Sequence, residues 1–290
     1  MKTSHVIALA VVVAIGGVGI FVLLDQPRPS SVDASQAEGP IPDFSSGDIG
    51  WDLDSPEGGT NSAFFKVPGD PGPGPILQHP DFPYDRVNTR RMADTSNPIL
   101  LPQVKEKMDA EVARVMAGGI PFIPTSRCWP GGVPGLHVYT APNFYLQTED
   151  QIWILNMRGE IRRIYMNRPH SENPDYSWYG ESVGHYENGN TLVIDTIALD
   201  DKGPIDRLNT PHTRQLHVVE RHTLMDGGKR MRVSFTVTDP GVFTQPWNAM
   251  VEYAATDNGW IEYVCNENSV EYLIPESELV PVPQATRRDF

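Results

Sequence analysis

The sequence predicts an all-β fold: an antiparallel meander closed into a barrel-like domain, with one covering helix on its N-terminal side. Three observations carry this. Short runs rich in Ile, Val, Tyr, Phe and Trp succeed one another between Asn143 and Asn266, separated by tight-turn residues. Arg232 to Asp239 alternates cleanly, with Val233, Phe235 and Val237 on one face and Arg232, Ser234, Thr236 and Thr238 on the other. No helical pattern interleaves these runs, so parallel crossover units are not expected. A β-sandwich satisfies the same pattern and is the alternative; closure into a barrel removes exposed edges.

Taken in order, the chain opens with an export signal. Val6 to Leu24 is an unbroken apolar run of 19 residues. Its length lies between a signal-peptide core and a spanning helix, so residues 1–26 read as a signal anchor or a signal peptide. Both readings put the body outside the cytoplasm, periplasmic or otherwise extracytoplasmic, with an inner-membrane anchor through residues 6–24 favoured. The next stretch, 27–97, reads as an acidic Pro/Gly-rich tether. From Ser31 to Asp85, 17 of 55 residues are Pro or Gly, with ten acids and one base, too few apolar groups to offset the entropy of ordering. Phe44, Trp51, Phe64 and Phe65 interrupt it as candidates for docking on the domain.

Pro98 to Gly119 carries the helix: Val104, Met108, Val112 and Val115 form one stripe, Pro102 suits the first turn and Gly118-Gly119 stops it. Strands follow over Asn143–Gln147, Gln151–Asn156, Glu160–Asn167, Gly184–Glu187, Thr191–Leu199, Leu216–Leu224, Arg230–Asp239, Ala249–Thr256 and Trp260–Asn266. Asn188-Gly189 between two of them is the strongest hairpin signal. The β-rich domain is thus 98–274, with an extended tail over 275–290.

Formal charge of -14 opposes binding to a phosphate backbone, so nucleic acid is not expected as a partner. The two cysteines, Cys128 and Cys265, pair as a disulfide in an exported chain; two separate buried thiols are the alternative.

Candidate chemistry centres on histidine. His170 and His212 each follow a proline and precede a hydroxyl residue, which places both in ordered loops at strand ends. They are the candidate proton-transfer groups. Strand parity adds Asp195, on a face with Val193 and Ile197, and Glu220, on a face with Val218 and His222. An acid on an apolar face calls for a partner, either a structural salt bridge or a catalytic group. Glu181, His185 and His217 join as ligand-binding candidates, with Trp178, Tyr179 and Trp247 as walls for a flat or hydrophobic ligand. The five-residue intervals between His212, His217 and His222 match neither helical nor single-strand metal spacing, so no metal and no cofactor are expected.

The segments Arg127 to Pro134, Pro169-His170-Ser171, Ser177 to Gly184, Thr191-Leu192-Val193-Ile194-Asp195-Thr196, Pro211-His212-Thr213, Leu216 to Arg221 and Val264 to Asn268 resemble a large family of exported bacterial proteins. The resemblance spans about Pro98 to Leu273; it implies a shared fold and export and carries over no activity. Likeness to lipocalin-type barrels rests on strand pattern alone. The functional expectation is a lumen that binds a small hydrophobic or aromatic molecule. Its enzymatic form is metal-free acid–base catalysis of isomerase, hydratase or lyase type. A non-catalytic carrier or sensor, or a structural envelope protein, is the alternative.

Overall fold

The structure is a computed structural model that describes residues 41–45, 47, 49–54, 64–81, 92–119, 121–138, 141–260 and 262–265. The apolar run 6–24 and the tail 275–290 lie outside the described residues.

Nine strands close into one barrel in sequence order: β1 (Gly50–Leu53), β2 (Asn143–Gln147), β3 (Gln151–Asn156), β4 (Glu160–Met166), β5 (Glu181–Glu187), β6 (Thr191–Ile197), β7 (His217–Met225), β8 (Arg230–Thr238) and β9 (Trp247–Thr256). Alternation puts Arg162, Ile164 and Met166 of β4, and Met231, Val233, Phe235 and Val237 of β8, inside, with each nearly inaccessible. The one α-helix among the described residues, α1 (Pro102–Met116), buries Val104, Met108 and Val115. The chain leading into it pairs with the β8–β9 connection, Leu101 N–H donating to the Val242 carbonyl at 2.9 Å.

Three expectations change. The barrel is mixed, because β4 and β5 run parallel, Ile164 opposite Ser182; residues 167–180 therefore cross from one end of the barrel to the other, as a parallel pair requires. Backbone bonds hold the crossover to the wall, Ser177 N–H to Ala198 O at 3.1 Å and Asp200 N–H to Ser177 O at 2.8 Å. Gly180 sits at φ +61° where a Cβ would fall 2.2 Å from the Ile197 carbonyl oxygen, so only glycine fits the last bend before β5.

Second, the stretch assigned to a tether supplies part of the barrel. β1 bridges β2 and β9 and completes closure, and Phe44, Trp51 and Phe64 are buried in the core. Phe44 N–H donates to Gln147 Oε1 at 2.8 Å, and Phe64 packs edge-on against Phe235 at 4.8 Å. Composition averaged over 55 residues hides a few aromatic anchors of this kind. Third, no strand forms among the described residues from Trp260 to Cys265. That segment is instead joined to the loop before β2 by the Cys128–Cys265 disulfide, which is present as expected. Closing a loop of 137 residues stabilises the fold by roughly 4–5 kcal/mol in the chain-entropy account, and such a bond fits an oxidising compartment.

Candidate functional site

Two groups of polar side chains stand out, one inside the barrel and one on its outer wall. Inside, Glu220 of β7 is wholly buried. Arg162 of β4 donates from Nη1 to Oε1 at 3.0 Å and from Nη2 to Oε2, and also to Thr196 Oγ1 at 2.8 Å and Ser182 Oγ at 3.2 Å. His137 enters from a 3₁₀ turn, Gly135–Val138, with Nε2 2.5 Å from Glu220 Oε1. His222 shares the inward face of β7, its Nε2 3.4 Å from the same oxygen and its Nδ1 2.9 Å from the Tyr145 hydroxyl. The Tyr253 hydroxyl lies within hydrogen-bond distance of both the His137 carbonyl oxygen, at 3.1 Å, and His137 Nδ1, at 3.0 Å.

Burial alone would push the Glu220 carboxyl up; the Arg162 charge and the imidazole contacts overcome it and hold it well below the usual range. Burial pushes His222 down to about 4, so the ring is neutral at pH 7, and pushes the Tyr145 and Tyr253 phenols up, so both stay protonated. Ligand atoms of His137, Glu220 and His222 lie within 4.8 Å of one another, a distance that suits a metal. Arg162 already covers both Glu220 oxygens, however, so a dication would add charge with no anion left to balance it. The group is a closed hydrogen-bonded network around one ion pair.

On the outer wall, Asp195 of β6 lies opposite Val183 of β5 and Val219 of β7. Its Oδ1 accepts from His170 Nε2 and from His217 Nε2, both at 2.9 Å. The other nitrogen of His170 faces Glu181 Oε1 at 3.1 Å, and Glu181 accepts as well from Ser171 N–H at 2.7 Å and the Ser171 hydroxyl at 2.5 Å. The crossover is thus latched to the wall through His170 and Ser171. Burial would lower His170, but Asp195 and Glu181 outweigh it and raise its pKa, which favours an imidazolium donating from both nitrogens. Asp195 is pulled far below the ordinary carboxylate range, the two imidazole bonds overcoming its partial burial. His217 is about a third exposed. It uses Nε2 on Asp195, and no described residue bonds its Nδ1.

The structure therefore brings together His170, Asp195, Glu181 and His217, and separates the remaining candidates from them. Glu220 lies in the lumen with Arg162. His212 turns to its own loop, Nδ1 3.1 Å from the Thr213 carbonyl, and burial lowers its pKa. The His185 ring hydrogen-bonds Glu187 at 3.2 Å and no other described residue. Trp247 is core, packed against Phe64, Phe235 and Phe243. Trp178 stacks edge-on against Trp129 at 5.5 Å, and Tyr179 donates to Glu160 Oε2 at 2.7 Å.

Of the lumen partners, His137 and Tyr145 were not anticipated, whereas Arg162 was one of four arginines available for a salt bridge to the strand acids. For Arg162 a signal existed, since it shares parity with Ile164 and Met166 on an inward face. His137 sits in a turn whose neighbours show no period, so nothing in the local sequence places it. No protein-family model, curated protein or solved structure matches the chain.

Proposed function

We propose that this is an extracytoplasmic barrel protein that holds a small hydrophobic or aromatic molecule against its outer wall and performs metal-free acid–base chemistry on it. His217 is the proton-transfer group, Asp195 orients its ring, and Val183 and Val219 flank the carboxylate. The observation that carries this reading is the open edge of His217: Asp195 fixes Nε2, which leaves Nδ1 facing outward as a base in a defined tautomer. His170, engaged at both nitrogens, positions Asp195 rather than reacting. The disulfide and the apolar run at the N-terminus support the extracytoplasmic location.

The filled interior favours this site over the lumen. Trp247, Tyr145, Tyr253 and Arg162 occupy the barrel at 0–1 % exposure, so the space expected to take a ligand is taken by side chains.

The test is deuterium incorporation from D2O next to the carbonyl of a panel of aryl ketones and enones, followed by NMR. The wild type is expected to accelerate exchange of at least one member, with His217→Ala losing about 10²–10⁴-fold of that rate, the usual worth of a positioned base. Exchange at the buffer rate, or exchange unchanged in His217→Ala, contradicts the reading.

A further inference from the structure

A cleft of about 200 Å³ opens beside the disulfide, lined by Trp129, Arg158, Glu160, Tyr179 and Tyr263. Its polar groups are already aimed. Glu160 Oε2 is fixed by the Tyr179 hydroxyl at 2.7 Å and the Gly131 N–H at 3.2 Å, and no described residue bonds Oε1. The Arg158 guanidinium lies 4.9 Å over the Tyr263 ring. Trp129 is held rigid between Phe122 at 5.2 Å and Trp178 at 5.5 Å. The disulfide keeps the segment that carries Tyr263 in place. Burial raises the Glu160 pKa, with Tyr179, Gly131 and the Arg158 charge only partly opposing it.

We propose that this cleft is a binding site for one ring of a neutral sugar. A carboxyl acceptor and a guanidinium donor in one cleft match hydroxyl groups, which accept and donate in turn. Their formal charges cancel, so an anion would be opposed by Glu160 and a cation by Arg158. Three aromatic rings supply flat apolar faces for the C–H face of a pyranose. The volume suits a single ring rather than a drug-sized ligand. This site is separate from the His217 chemistry and does not depend on it.

Calorimetric titration of the purified protein with glucose, N-acetylglucosamine and their short β-linked oligomers tests it, with choline and benzoate as charged comparators. Saturable binding of at least one sugar is expected, weakened tenfold or more in Glu160→Gln and in Arg158→Gln, unaffected in His217→Ala, and absent for both comparators. Tyr263→Leu, a change remote from the barrel interior, should weaken it too. Wild-type melting temperatures would show that the variants are folded. No saturable sugar binding overturns the proposal, as does binding of choline or benzoate in its place. Sugar binding that persists unchanged in Glu160→Gln, Arg158→Gln and Tyr263→Leu overturns it as well.

Discussion

The lumen and the outer wall each join histidine to a carboxylate, with opposite results. Inside, Arg162 supplies the counter-charge for Glu220, and burial keeps His222 neutral. Outside, no arginine lies within hydrogen-bond distance of Asp195 among the described residues; the His170 and His217 rings donate to it instead, and the His170 pKa is raised rather than lowered. One pair of residue types therefore makes a sealed strut in one place and a partly exposed hydrogen-bonded cluster in the other. Dielectric and the availability of a guanidinium decide which.

The largest effect expected from breaking this contrast is in the lumen. Glu220→Ala would leave Arg162 buried without an anion, at a cost of about 3–5 kcal/mol, read as a large fall in denaturation midpoint. The double variant Arg162→Met, Glu220→Leu is expected to recover most of that loss, since no unpaired charge remains. A fall of less than 1 kcal/mol for Glu220→Ala would mean the strut is not sealed.

A smaller effect sharpens the contrast through pH. His222 has its folded pKa depressed from 6.5 to about 4. Its unfolded form therefore binds a proton first as the medium is acidified. Stability is whole above pH 6.5 and is lost by about 3 kcal/mol as pH falls to 4. His170 has the opposite sign: its pKa is raised, so its contribution is full below the unfolded value of 6.5 and is lost as pH rises through the folded value. Being partly exposed, the latch is worth on the order of 1 kcal/mol. Chemical denaturation across pH 4–9 should show the acid limb flattened in His222→Gln and the alkaline limb flattened in His170→Asn. Interchanged limbs would reverse the assignment of the two regions.

Strand parity made much of this legible. Apolar runs bounded by turn residues located eight of the nine strands, and parity put Glu220 and His222 together on one face, because side-chain direction in a strand is local information. The outer cluster was half legible: His170, Asp195, Glu181 and His217 were all candidates, yet the join with His212 and Glu220 failed, because parity names a face and not which face is inside. The parallel β4–β5 pair could not be read, since a crossover without a helix looks like an ordinary long turn. β1 was hidden for another reason. Gly50-Trp51-Asp52-Leu53 is four residues in an acidic, Pro-rich stretch, and it becomes a strand only because two others offer it both edges.

Histidine hydrogen–deuterium exchange at the imidazole Cε1, read by mass spectrometry on the folded protein, tests most directly the claim that the reactive surface is outside and the lumen closed. His217 and His170 are expected to exchange, and His137 and His222 to stay protected for as long as the barrel is folded. Exchange at His137 or His222 as fast as at His217 would show an open interior and contradict the account.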